Sequence, residues 1–167
     1  MFVLGVDPGL TRCGFGLLDA ENGGSPRAVA AGVLETSPGR ATEDRLTDLA
    51  RDLSALYEQY RPDVVVVEKV FFQRNARTAV PVTQLSGIAI ALAGLRGAHV
   101  RQFTSQEMKL AVCGYGAATK EQIQQMVTRL LHLREVPRPP DAADALGLAL
   151  TYLRVAPREE RWAEALP

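Results

Sequence analysis

No stretch of this chain reaches the roughly 18 uninterrupted apolar residues that a membrane-spanning helix needs, although 47% of its 167 residues are hydrophobic. A helical membrane protein is thereby excluded, and the length suits one domain that buries about two-thirds of its surface around a single core. Cysteine is scarce. Cys13 and Cys113 stand alone, in no CxxC or Cys/His spacing, which excludes a zinc site and predicts two reduced thiols in a cytoplasmic protein. The sequence opens on MFVLGVD, already a strand pattern, without the basic and apolar regions of a signal peptide. Net charge is absent too, 19 Lys and Arg balancing 19 Asp and Glu, so nothing global announces a polyanionic partner. One local absence says more. Between Glu68 and Glu107 there is no acidic residue, whereas Lys69, Arg74, Arg77, Arg96 and Arg101 all lie there. Such a stretch can bind phosphate, or be scattered surface charge and nothing else. No Gly-Lys-Ser/Thr follows the glycines and GFGLL lacks a third one, which excludes P-loop and Rossmann nucleotide sites.

What is present begins with FVLGVD, a buried strand broken by Asp7-Pro8-Gly9. CGFGLLDA (13–20) and RAVAAGVLET (27–36), joined by the turn-rich NGGSP, extend it into an antiparallel meander. From Thr42 the apolar period lengthens. Leu46, Leu49, Leu53, Leu56 and Tyr57 mark one helix face, with Thr42 as its predicted cap and Arg61-Pro62-Asp63 as its end. VVVV (64–67) is a strand covered on both faces, ending in Glu68. VTQLSGIAIALAGL (82–95) reads as a helix so apolar around its circumference that it needs two partners. HVRQF (99–103) is a fifth strand. Thr104 or Ser105 then caps a short helix to Val112, and Thr119 opens another through Leu131, with Glu121 or Gln122 near the capping-box position. The last helix starts at Asp141. The predicted fold class is α/β, a five-stranded mixed sheet, three antiparallel strands then parallel ones, with helices on both faces. One domain covers 1–156, and 157–167 forms a charged tail that is a frayed end or a partner contact.

The chemistry concentrates in acids at element boundaries. Asp7 ends the first strand, Glu68 ends the fourth, and PPDAADALGLAL puts Asp141 and Asp144 at the start of the last helix. Helix starts favour acid, and an Asp at the N-cap with a second in the first turn is worth roughly 1–2 kcal/mol with no function attached. Residues three apart also share a helix face, so both carboxylates can serve one ligand. Strand ends of an α/β sheet open toward one edge, where ligands bind. If the four acids converge within about 5–6 Å, each pair repels by roughly 3 kcal/mol at an effective dielectric of 20. Convergence would therefore demand cations, and hard all-oxygen ligands suit Mg²⁺ or Mn²⁺. Two such ions are the device for in-line phosphodiester hydrolysis.

Four segments, GVDPGLTRCGFGLL, VVVEKVFFQRNARTA, QEMKLAVCGYGAATKEQIQQMV and PPDAADALGLALTY, closely resemble in order and spacing the motifs of the RuvC family of bacterial Holliday-junction resolvases. The resemblance runs from Met1 to about Leu153. It implies a ribonuclease H-like fold, metal-binding and catalytic roles for Asp7, Glu68, Asp141 and Asp144, and products with 5′-phosphate and 3′-hydroxyl ends. It also implies that Phe71 faces the junction, where a ring can stack on an unpaired base, unless Phe71 and Phe72 both pack as a lid on the core. Lys109 and Lys120 match family lysines near the DNA backbone, though ordinary helix-surface lysines would look the same. Arg74 and Arg77 suit phosphate better than base contacts. Further implications are two Mg²⁺ ions per site with Mn²⁺ as a substitute, a homodimer through residues 82–96 on a two-fold symmetric four-way junction, and partnership with RuvA and RuvB. Pro81 departs from the pattern, standing where a Lys or other helix former is expected, so the second helix is predicted to start near Ala79 or Val80.

Two other readings compete. Asp7-Pro8-Gly9-Leu10-Thr11 also resembles the DxGxT phosphate loop of actin-like ATPases, but those need two domains and a second loop, and no later DxG exists. A non-catalytic junction-binding module of the same fold would more often have lost one of the four carboxylates.

Overall fold

The computed structural model describes residues 1–20, 25–70 and 76–165, with side chains as far as Ala156 apart from those of 76–78. Five strands form one sheet: β1 (Phe2–Asp7), β2 (Arg12–Asp19), β3 (Arg27–Glu35), β4 (Val64–Glu68) and β5 (His99–Phe103). Their order is β3-β2-β1-β4-β5. β1, β2 and β3 pair antiparallel, and β1 with β4 and β4 with β5 pair parallel. This is the mixed sheet that the sequence predicts.

Alternation along the strands builds two cores. Leu4, Val6, Cys13, Leu17, Val65 and Val67 face α1 (Thr42–Tyr60) and α2 (Ala76–Leu95), meeting Leu49, Leu53, Tyr57, Leu85, Ala89 and Ala93. The intervening residues Val3, Leu18, Val64 and Val66 face the other way. There they meet α3 (Ser105–Cys113), α4 (Lys120–Leu130) and α5 (Pro140–Ala165) through Met108, Val112, Ile123, Val127, Leu146 and Ala149. Both layers are apolar because consecutive residues of a strand point to opposite faces, and VVVV must satisfy two helical layers at once.

Several helix ends differ from expectation. Thr42 does not cap α1; it is the first helical residue, behind Ala41, and no side chain caps that end. Glu43 and Asp44 in the first turn complement the dipole instead. Arg61 closes α1 in the left-handed region, its N–H reaching the Tyr57 carbonyl. α2 starts at Ala76, three residues before Ala79, so Pro81 lies inside the helix. It is the sixth residue, so its missing N–H removes one intrahelical bond and its ring crowds the carbonyl four residues back, both close to the helix start where few bonds precede it. Thr104 and Thr119 head full capping boxes, with Glu107 and Gln122 as their partners. Asp141 is the second helical residue of α5 and not its cap, because Pro140 takes the first position, for which its fixed φ is suited. α5 itself continues to Ala165.

Candidate active site

Three elements carry the four acids to one edge of the sheet. β1 and β4 are parallel neighbours in register through Val6 and Val67, so the next residues, Asp7 and Glu68, end side by side. Both belong to the face that α5 covers, since Gly5 and Val66 precede them by two. Beyond Glu68, the Lys69 N–H donates to the Phe103 carbonyl at 2.8 Å, which ties this strand end to β5.

Glycine decides how close α5 comes. A Cβ at Gly5 would stand 1.9 Å from the Ala145 carbonyl oxygen, one at Gly14 would stand 2.2 Å from that of Asp141, and one at Gly16 would stand 2.7 Å from the Leu146 nitrogen. Gly5, Gly14 and Gly16 share a sheet face, so they form a trough in which the helix backbone lies directly on the strands. Asp7 pairs with Gly14 across the β1–β2 ladder. The start of α5 is thereby set next to Asp7, and Asp141 in its first turn comes with it, followed by Asp144 just beyond that turn.

Electrostatics record the crowding. Asp7 is held protonated well above the ordinary carboxylate range, first by burial, then by the charge of Glu68 and a hydrogen bond with it, then by Asp144 and Asp141. Asp144 is pushed up to about 6 by burial, opposed by Lys120 and reinforced by Glu68 and Asp141. Two basic residues flank the group: Arg12 Nε lies 3.7 Å from Asp141 Oδ2, and Lys120 Nζ lies 3.7 Å from Asp144 Oδ2. Among the described residues no three acidic, His or Cys side chains close into a finished metal cage. The acids form instead a patch of excess negative charge that protons and basic side chains neutralise. Its donors are all carboxylate oxygens, the set that hard divalent cations take. Burial with the nearby acids raises the Cys13 thiol to about 12, so it is no nucleophile here.

Next to Glu68 a cleft of about 470 Å³ is lined by Lys69, Thr104, Ser105, Gln106, Lys109 and Gly116. Lys109 is thus on α3 beside the acids, and Lys120 opens α4 against Asp144. Phe71, Phe72 and Arg74 lie outside the described residues, as does the side chain of Arg77 at the start of α2.

Sequence reading missed Arg12 and the buried cluster behind it. Arg45, 7% exposed, donates from Nε to the Thr36 hydroxyl at 2.9 Å and from Nη2 to the Thr11 hydroxyl at 2.8 Å. Thr36 in turn donates its hydroxyl to the Leu10 carbonyl at 2.6 Å and its N–H to the Thr11 carbonyl at 3.1 Å. The turn between Asp7 and Arg12 is therefore pinned by a buried arginine from α1. The glycine trough had a legible signal, because Gly14 and Gly16 are two apart and share a strand face. Arg45 had none, since it looks like any charged residue in the first turn of an amphipathic helix.

The strand order and the helices on both faces are those of the ribonuclease H-like fold. The family model described as crossover junction endodeoxyribonuclease RuvC matches residues 3–152. A crossover junction endodeoxyribonuclease RuvC from Frankia alni is 50% identical over 167 residues, 100% of this chain and 85% of its own length. Thermus thermophilus RuvC superposes with a TM-score of 0.85 at 34% identity, covering 95% of this chain and 97% of that one. T. thermophilus RuvC in complex with Holliday junction substrate does so at 0.84 and 31%, covering 95% and 96%. The chain belongs to the RuvC family of crossover junction endodeoxyribonucleases.

Proposed function

We propose that this chain is a Mg²⁺-dependent endonuclease that resolves four-way DNA junctions by paired symmetric nicks in recombination and repair. The observation that carries the reading is the meeting of four carboxylates from β1, β4 and α5 on one sheet edge, at a cost in like-charge repulsion that a structural role would not need. Asp7 and Glu68 would hold one ion, and Asp7 with Asp141 and Asp144 a second; Mn²⁺ would substitute. Bound there, the ions would supply the Lewis acidity and charge neutralisation that in-line phosphodiester hydrolysis requires. The residues themselves orient and exclude. Lys120, exposed and 3.7 Å from Asp144, is set to meet a phosphate oxygen on the strand to be cut. Lys109 in the cleft beside Glu68 would hold the neighbouring backbone, with Arg74 and Arg77 further along and Phe71 stacking on an unpaired base at the crossover.

Two cuts of opposite strands need two sites related by a two-fold axis, so the working form is a homodimer. α2 supplies a face for it. Leu85, Ser86, Ala89 and Ala93 are buried within the chain, while Val80 is 46% and Leu95 83% exposed. Cβ atoms at Gly87 and Gly94 would meet nothing, so their smallness serves nothing inside the fold and suits close approach of another helix. A cytoplasmic location and partnership with RuvA and RuvB complete the reading; no helix among the described residues is long and apolar enough to cross a membrane.

The test is incubation of the purified protein with a synthetic mobile four-way junction, with Mg²⁺, with Mn²⁺ and with chelator. Symmetric nicks with ligatable 5′-phosphates are expected with either metal only. Absence of metal-dependent symmetric cleavage in every sequence context would overturn the reading.

A further inference from the structure

Arg12 belongs to none of the roles assigned above, yet it stands against one of the four acids. It is the first residue of β2 and shares a strand face with Gly14 and Gly16, which places it on the side that α5 covers. Its Nε lies 3.7 Å from Asp141 Oδ2, too far for a hydrogen bond, and its side chain is 52% exposed. Among the described residues no hydrogen bond engages the guanidinium. The backbone behind it is the reverse. Thr11 is fixed by Arg45 through its hydroxyl and by Thr36 through its carbonyl, and Leu10 by the Thr36 hydroxyl. A rigid turn thus presents a loosely held arginine at the rim of the acidic patch.

We propose that Arg12 is a positioning residue with two alternating partners: Asp141 in the metal-free protein, and a backbone phosphate of the bound DNA strand once Asp141 is given over to a divalent cation. The proposal rests on the reading of the four acids as a metal site. An exposed ion pair at this distance is weak enough to be exchanged, and the guanidinium fork matches a phosphate bidentately as an ammonium cannot. Lys120 makes the same kind of contact at Asp144, so the two acids of α5 each carry a basic stand-in for the cation. Only Arg12 comes from the sheet side.

The experiment compares wild type, Arg12→Gln and Arg12→Lys in the full chain. Mn²⁺ titration of DNA-free protein, followed by electron paramagnetic resonance, is expected to show Arg12→Gln binding roughly 2–5-fold tighter, because no cation competes for Asp141. Junction affinity is then measured against salt, in Ca²⁺ and in chelator. Loss of one phosphate contact lowers the slope of log K against log [salt] by about 1. That decrease is expected for Arg12→Gln in Ca²⁺ and not in chelator, with Arg12→Lys intermediate. A residue that merely stabilises the turn would leave both the Mn²⁺ affinity and the slope unchanged. Wild-type Mn²⁺ binding with an identical titration and slope in Arg12→Gln overturns the role of Arg12 alone. If wild type binds no Mn²⁺ at millimolar concentration and cuts no junction, the metal site falls and this inference with it.

Discussion

Gly14 and Asp141 meet backbone to backbone: a Cβ on Gly14 would stand 2.2 Å from the Asp141 carbonyl oxygen and 3.2 Å from Asp7 Cβ. The smallest side chain in β2 therefore sets the distance between the acid of β1 and the acids of α5. A strand glycine normally weakens a sheet, and this one is retained because a helix must lie on it.

Gly14→Ala should accordingly harm both stability and site. The helix backbone has to move away, which costs about 1–3 kcal/mol or somewhat more in a packed layer. The same movement takes Asp141 and Asp144 away from Asp7. Urea denaturation should give a lower midpoint, and junction cleavage should fall further than the unfolded fraction accounts for. Cleavage that tracks the folded fraction would show that the acids keep their geometry without the trough.

The pinned turn predicts non-additivity. Thr11→Val leaves Arg45 Nη2 buried without its hydroxyl partner, at about 1–3 kcal/mol. Arg45→Met removes the charge as well as both of its bonds to threonine. In a double-mutant cycle the pair should lose markedly less stability than the two single changes together, because they break the same contact. Simple additivity would mean that the bond contributes nothing to the fold.

The outer face of α2 predicts a dimer at micromolar protein. Ala91 is exposed within the chain, so Ala91→Arg leaves the monomer intact while placing a charge in a helix contact. Sedimentation should move from dimer to monomer with an unchanged melting profile at low concentration, and paired cuts should be lost. A wild type that is monomeric at micromolar concentration would remove the basis for two coordinated sites. Gly87→Ala, facing open space within the chain, should stabilise the monomer's helix by about 0.5–1 kcal/mol while weakening the dimer, because the added methyl stands where the partner helix approaches.

The strands and the two-layer cover were legible because alternation and period are local properties of the chain. VVVV announced its own burial, and the acids ending β1 and β4 announced themselves by ending buried runs. Helix starts were less legible. Pro81 suggested a later start for α2 because its effect depends on how many N–H groups before it already lack partners. Asp141 resembled an N-cap, but Pro140 occupies the first helical position and moves the acid one place inward. What the sequence concealed is contact across the sheet: that Arg45 reaches Thr11, and that Arg12 reaches Asp141, depends on β2, α1 and α5 meeting in space.

The raised carboxyl of Asp144 predicts a pH dependence with a definite sign. Its folded value is about 6 against an ordinary 3.8, so the native state holds the proton more tightly than the unfolded chain. Metal-free stability from this group is present at low pH and is lost as pH rises from about 4 to about 6. The loss is about 3 kcal/mol, and Asp7, raised by the same causes, acts in the same direction. In chelator, Asp144→Asn should therefore gain on wild type across that interval and stay ahead at neutral pH. Added Mg²⁺ reverses the order. At a concentration 100 times its Kd the ion stabilises the native state by about 2.7 kcal/mol, equivalent to roughly 5–10 °C in Tm for a chain of this size. Wild type should show that rise at neutral pH, and Asp144→Asn little of it, with junction binding retained and cleavage abolished. If the two proteins gave parallel pH profiles and equal Mg²⁺ shifts, Asp144 would be an acid near the start of a helix and no ligand.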